Sequence, residues 1–202
     1  MVDPVNITNY TLDDNGLEEH ILFWVLAAGK NGLTAAKALS AILDDVGLAG
    51  HGPFHSLRCF QINVPITDKT SLPRLLKSYG VGCYNHKART IYELVRKDID
   101  LKTCTVDELE SIYGIGPKTA RCFIIHTRPN AKYAGLDTHI LKFLRSLGHT
   151  DLVSTPQSKK KYEELEKIFL TYVEKSGKTV AEFDLEVWNH YRKTNQRYTY
   201  MN

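Results

Sequence analysis

Along most of the chain apolar residues recur at intervals of three and four, the spacing that lays one stripe along a helix. Residues 17–28 form the first such stretch, and residues 33–43 an alanine-rich second. Gly29-Lys-Asn-Gly32 breaks the pattern between them. Residues 47–70 carry glycine, histidine and proline and read as loop, with an extended piece at 60–64. Ser71-Leu-Pro-Arg opens another helix, because proline is tolerated in a first turn, and it ends near Tyr79-Gly-Val-Gly82. A further helix covers 85–95. Thr105-Val-Asp-Glu108 has the form of a capping box, with a hydroxyl and a carboxylate able to satisfy each other's backbone N–H groups. Helices follow at 117–126, at 137–147 (ended by Gly148), at 159–174 and at 180–191. No strand, repeat or low-complexity tract is readable. The pattern predicts an all-α protein: one domain over residues 1–202, in two lobes, with the early and late helices sharing one core.

Composition changes this picture little. At 202 residues and 43% apolar the chain can bury a real core. The net charge of +3 is small, but its distribution is uneven. Residues 1–20 hold Asp3, Asp13, Asp14, Glu18 and Glu19 with no lysine or arginine. Residues 111–150 hold Lys118, Arg121, Arg128, Lys132, Lys142 and Arg145 against Asp137 alone, so 6 − 1 = +5. A basic stretch suits a polyanion partner, or simply a solvated face. Cys59, Cys83, Cys104 and Cys122 are scattered without a CxxC pair, which supports neither a zinc site nor an iron–sulfur cluster. The longest apolar run, 21–29, is too short to span a bilayer, and the acidic start is no signal peptide. The expectation is a soluble intracellular protein with reduced thiols.

Residues 109–120 read Leu-Glu-Ser-Ile-Tyr-Gly-Ile-Gly-Pro-Lys-Thr-Ala. Two helices joined by Gly114-Ile-Gly116 make a hairpin, spanning about 105–126 with its flanking helices. Glycine permits the positive φ of a tight turn and lets another backbone come close. Pro117 suits the first turn of the next helix. The free N–H groups there, at the positive end of the helix dipole, form an anion site. Alone, the pattern is also that of a plain helix–turn–helix connection.

Lys118 follows the turn, and Asp137 lies 19 positions on (137 − 118). In the first turn of a helix the dipole disfavours a cation, and burial against Phe123 would add to this, so the amine is expected below its ordinary pKa and partly neutral. Such an amine is a nucleophile that can form a Schiff base. A lysine that only touches phosphate would stay charged and exposed. Asp137 is placed as an N-cap. The same carboxylate, held near the lysine, could take its proton or stabilise oxocarbenium-like charge.

Ile112-Tyr-Gly-Ile-Gly-Pro-Lys118-Thr119-Ala followed by Leu136-Asp137-Thr-His139-Ile resembles the helix-hairpin-helix superfamily of base-excision DNA glycosylases, which contains endonuclease III and the 8-oxoguanine glycosylases. Gly82-Cys83-Tyr84-Asn85-His-Lys87-Ala is similar to the loop with which that superfamily faces DNA. Asp184-Leu-Glu-Val-Trp188 is a looser match to its late helix. Together these cover about residues 17 to 195. The resemblance implies a bifunctional DNA glycosylase and AP lyase acting on double-stranded DNA with a damaged or modified base, 8-oxoguanine or an oxidised pyrimidine first among them. Lys118 would attack C1′ and form a Schiff base, and Asp137 would assist. The target would be flipped from the stack. Gly114, Ile115, Gly116, Thr119, Tyr84, Asn85, Lys87 and His139 would contact DNA. The carbonyls of Ile112 and Ile115 would hold a monovalent cation, and no other cofactor is required. The expected location is the cytoplasm, nucleoid or nucleus, and the expected state a monomer. A monofunctional glycosylase, in which Lys118 only binds phosphate, and a non-catalytic DNA-binding module are the alternatives.

The sequence departs from the family pattern in places. No cysteine follows Cys122, so the four-cysteine iron–sulfur loop of many endonuclease III relatives is not encoded. Lys30 or Asn31 stands where some relatives carry a glutamine that fills the gap in the duplex. Cys83 stands where an apolar residue intercalates. The 47–70 segment has no counterpart. Phe23 and Trp24 read as core. Trp188 reads as core too, with a π face for the flipped base as the alternative, and Lys159-Lys-Lys161 reads as a solvated charge run.

Overall fold

The computed structural model describes residues 1–63 and 71–193. Ten helices occur among them: α1 (Asp14–Ala27), α2 (Gly32–Val46), α3 (Pro53–Asn63), α4 (Leu72–Ser78), α5 (Tyr84–Arg96), α6 (Val106–Glu110), α7 (Pro117–Thr127), α8 (Thr138–Ser146), α9 (Lys159–Ser176) and α10 (Val180–Lys193). No strand is found among the described residues, as the periodicity predicted. None of these helices is long and apolar enough to cross a membrane.

Local signals explain most helix starts. Asp13 caps α1 by accepting the Gly16 N–H at 2.8 Å, which begins the helix earlier than the apolar pattern does. The capping box of α6 is formed. The Thr105 hydroxyl accepts from the Glu108 N–H, and the Glu108 carboxylate accepts the Thr105 N–H at 2.7 Å. One expectation fails at α3, which occupies much of the segment read as loop and turns the extended piece over residues 60–63 into helix; Val64 lies outside the described residues. At its start the Glu18 carboxylate of α1 accepts the Phe54 N–H at 2.8 Å, across 36 positions of sequence.

Buried side chains form two clusters. The first gathers α1 to α5, the hairpin and the first part of α7. The second gathers the end of α7 with α8, α9 and α10 around Phe143, which meets Phe169, Phe183 and Tyr172 edge-on at 5.4–5.9 Å between ring centres. Each fully buried phenylalanine here contributes about 1.5–3 kcal/mol by leaving water. The late helices therefore build a core of their own, and the shared early-and-late core is not what is found. Only Leu185 of α10 leans on the first cluster. Helix α7 joins the two: every residue from Thr119 to Thr127 is buried, with Ile124 in one cluster and Ile125 in the other.

A polar clasp fixes the loop between α7 and α8. Buried Arg121 pairs with Glu166 of α9 at 2.8 Å and with Glu110 of α6 at 2.5 Å. The same Glu166 oxygen accepts the Ala134 N–H at 2.7 Å. The Tyr162 hydroxyl donates to the Ala134 carbonyl at 2.8 Å and accepts the Leu136 N–H at 2.9 Å. Asp137 follows directly on this fixed loop.

Candidate active site

The hairpin between α6 and α7 closes with the Ile115 N–H donating to the Ile112 carbonyl at 3.1 Å. Gly114 has φ +80°, and a Cβ there would run into Thr90 Oγ1 and His86 of α5. Gly116 differs. It caps α7 without a side chain, its φ is −95°, and nothing lies within 4 Å of where its Cβ would stand. The first helical bond of α7 runs from the Ala120 N–H to the Gly116 carbonyl. The N–H groups of Lys118 and Thr119 precede it and have no partner within the helix, leaving an open, electropositive helix start.

Lys118, Cys122 and His126 are four residues apart and share one stripe of α7. That stripe forms a wall of a cleft of about 840 Å3, whose other walls include Trp24 of α1, the Ala28–Gly32 turn, Asp137 and His139, and Asp184 and Trp188 of α10. The volume falls in the range of roughly 300–1,000 Å3 typical of small-ligand pockets. Asp137 caps α8: its Oδ1 accepts the N–H groups of His139 and Ile140, each at 2.8 Å. The Lys118 amine lies 4.8 Å from the centre of the Trp24 indole, with Cys122 one turn along the same helix. Asp184 reaches to within 3.5 Å of His126 Nε2.

These neighbours reverse one expectation. Burial alone would lower the Lys118 amine, but Cys122 and the carboxylates of Asp137 and Asp184 outweigh it and hold the amine above its ordinary value. The resting residue is therefore an ammonium. Burial, reinforced by the Asp184 charge, raises the Asp137 carboxyl against the pull of Lys118 and the Ile140 N–H. Burial also pushes the Cys122 thiol up to about 12, against the pull of Lys118.

A family model for 8-oxoguanine DNA glycosylase, of the helix-hairpin-helix type, matches residues 61–178, more than half of the chain. The chain belongs to this family. Solved structures agree on the fold. The Methanocaldococcus jannaschii 8-oxoguanine glycosylase/lyase, in complex with a 15mer DNA containing 8-oxoguanine, has a TM-score of 0.68 at 22% identity, over 93% of this chain and 86% of that one. The Thermotoga maritima 8-oxoguanine DNA glycosylase has a TM-score of 0.65 at 23% identity, over 91% of this chain and 83% of that one.

Of the residues singled out in this family member's sequence, Lys118, Asp137, Gly116, Thr119, His139, Lys30, Asn31 and Trp188 line the one cleft. Several carry different roles from those expected. Lys87 is buried, and its amine donates to the carbonyls of Leu26 at 2.7 Å and Ala28 at 2.9 Å, so it closes the end of α1. The side chains of Ile112 and Ile115 are buried, which leaves their backbone for a ligand, and Thr119 is mostly buried at the cleft wall. The Asn31 side chain caps α2 by accepting the Leu33 N–H at 2.9 Å, while Lys30 beside it is exposed. Cys83, at φ +53°, and Asn85 are exposed at the start of α5, with half-buried Tyr84 beside them, and these three are not among the residues that line the cleft. His139 packs edge-on against Trp188, 6.0 Å between ring centres. Arg121 and Arg128 drop out of the basic stretch: the first is in the clasp, and the second donates to the carbonyls of Cys104 and Leu101.

Trp24, Cys122, His126 and Asp184 were missed as parts of the site. The Lys118-Cys122-His126 spacing on a buried helix was a readable signal. Trp24 was not readable, because an apolar helix gives no reason to set one tryptophan apart from its neighbours.

Proposed function

We propose that the chain is a bifunctional DNA glycosylase and AP lyase that removes 8-oxoguanine from duplex DNA, with Lys118 as nucleophile and Asp137 as its partner. Membership of the family makes it a base-excision repair glycosylase. The observation that carries the catalytic assignment is that Lys118 and Asp137, from different helices, meet in one cleft beside an open hairpin. Duplex DNA would lay a phosphate on the N–H groups at the start of α7. The damaged nucleotide would flip into the cleft, since its C1′ cannot be reached in the stack.

Lys118 waits as an ammonium, so it must lose a proton before it attacks. Asp137, whose carboxyl is raised, is the acceptor in reach. The free amine then bonds to C1′ as the C1′–N bond breaks, and the base leaves with that electron pair and takes up a proton. Opening of the sugar gives the Schiff base, and loss of a 2′ proton expels the 3′ phosphate. The resemblance also implies a monovalent cation at the hairpin. One lone pair of the Ile112 carbonyl closes the turn and a second remains; with the Ile115 carbonyl this neutral oxygen set suits a hard cation, which would add positive charge near the phosphate. Such an enzyme works where the DNA is, in cytoplasm, nucleoid or nucleus.

Borohydride trapping on an abasic-site duplex tests the chemistry. A covalent adduct is expected from the wild type and none from Lys118→Gln. Base release without an adduct would point to a monofunctional enzyme. A panel of duplexes with single lesions, scored for the base released, tests the substrate, and preference for an oxidised pyrimidine would overturn 8-oxoguanine.

A further inference from the structure

Trp24 is wedged beside the reactive lysine in a way that ordinary core packing does not require. The His126 ring stacks on the indole, 5.5 Å between centres and 13° from parallel. The Lys118 amine lies 4.8 Å from the indole centre. His126 and Lys118 are eight residues apart on one stripe of α7, and both reach the same indole.

His126 is itself held firmly. It is completely buried; its Nδ1 meets Thr8 Oγ1 at 2.8 Å, its carbonyl accepts the Asn9 N–H at 2.9 Å, and Asp184 stands 3.5 Å from its Nε2. The indole N–H is shut away from solvent without a hydrogen-bond partner among the described residues. A buried unpaired donor is costly, and its retention calls for an explanation. A tryptophan face attracts a cation more strongly than any other aromatic face.

We propose that Trp24 is a positioning residue, a platform that seats the Lys118 ammonium, with His126, stacked on the indole, fixing its plane. This rests on the assignment of Lys118 as nucleophile. The platform favours the charged amine, so it helps to set how much free amine exists at a given pH and where that amine points. The other groups facing the amine are Cys122 on α7, Asp137 at the start of α8 and Asp184 on α10.

The test is the pH profile of borohydride trapping on abasic-site DNA, with tryptophans of increasing fluorine content placed at position 24. Fluorination drains the ring face with little change of shape. As the attraction is lost, the ammonium is less stable, and the acid limb should move stepwise toward lower pH. Full loss corresponds to about half to one pH unit, from a cation–π contribution of partly desolvated size. Trp24→Leu should reach the same end point with a lower plateau, and Trp24→Phe should fall between. An acid limb that stays in place through the fluorine series overturns the proposal, whatever happens to the plateau. Carbon-13 titration of the Lys118 side chain without DNA separates the two claims. The same shift with no trapping by the wild type sinks the nucleophile assignment alone; trapping with an unmoved Lys118 titration sinks the platform alone.

Discussion

Replacing each hairpin glycine with alanine should produce opposite outcomes. Gly114 has φ +80°, where an L-residue costs roughly 1–2 kcal/mol. Its new Cβ would also press on Thr90 Oγ1 and His86, and forcing a methyl into packed space costs about 1–3 kcal/mol more. Gly114→Ala should therefore lose about 2–5 kcal/mol, a large part of the roughly 5–15 kcal/mol that holds a domain folded. Gly116 has φ −95° and empty space at its Cβ position. There alanine stiffens the unfolded chain but is a poorer cap, and these effects of under about 1 kcal/mol largely cancel. The methyl would instead stand in the open approach to the α7 N–H groups, so Gly116→Ala should keep its stability and bind duplex DNA more weakly. Urea denaturation measures the first effect, and fluorescence anisotropy at fixed salt measures the second. Thr90→Ala should restore the steric share of the Gly114→Ala loss but not the backbone share. Equal stability losses at the two glycines, or no recovery in the double variant, would refute the division of roles.

Asp137→Asn should keep the α8 cap, because asparagine caps as well as aspartate, and yet nearly abolish base excision; Asp137→Ala should lose excision and also about 0.5–2 kcal/mol of stability. An asparagine variant with wild-type excision rates would show that the carboxylate only caps. Lys87→Met removes two charged hydrogen bonds to the end of α1 while burial already disfavours the cation, so a net loss of about 1–3 kcal/mol is expected in denaturant, with the salt dependence of DNA binding unchanged. A flatter salt slope would return Lys87 to the DNA face. Burial holds the His20 imidazole below its ordinary value, against the Gly16 and Ile7 carbonyls that favour its proton. The unfolded chain therefore binds that proton first as pH falls through about 6.5, and stability should decline from there downward. The urea midpoint followed from pH 7.5 to 5.5 should show the decline, and His20→Asn should flatten it.

What the sequence made legible was local. Capping at Thr105–Glu108 and the glycine turn before Lys118 depend on neighbours within a few positions, and both stand in the structure. Helix α3 was misread because its start is capped by Glu18 of another helix, which no nearby pattern records. Lys87 was misread for a similar reason: the open carbonyls it closes lie about 60 positions earlier. The direction of the Lys118 shift was missed because the helix dipole is a local term. Burial opposes the charge as well, and what outweighs it is Cys122, one turn along the same helix, with the carboxylates of Asp137 and Asp184, which only the folded chain brings in from α8 and α10.

Helix α7 has no solvent face over Thr119–Thr127, since the two cores grip it from both sides. It behaves as an axle, and almost any side-chain change on it would be felt through the whole molecule. The Ala28–Gly32 turn, the segment Thr155–Gln157 and the Asp184, Leu185 and Trp188 positions of α10 line the cleft from other elements. On the proposed function, chemistry would ride on this axle and selectivity on the parts around it. Substitutions there would then change the choice of lesion while the lysine stays where it is.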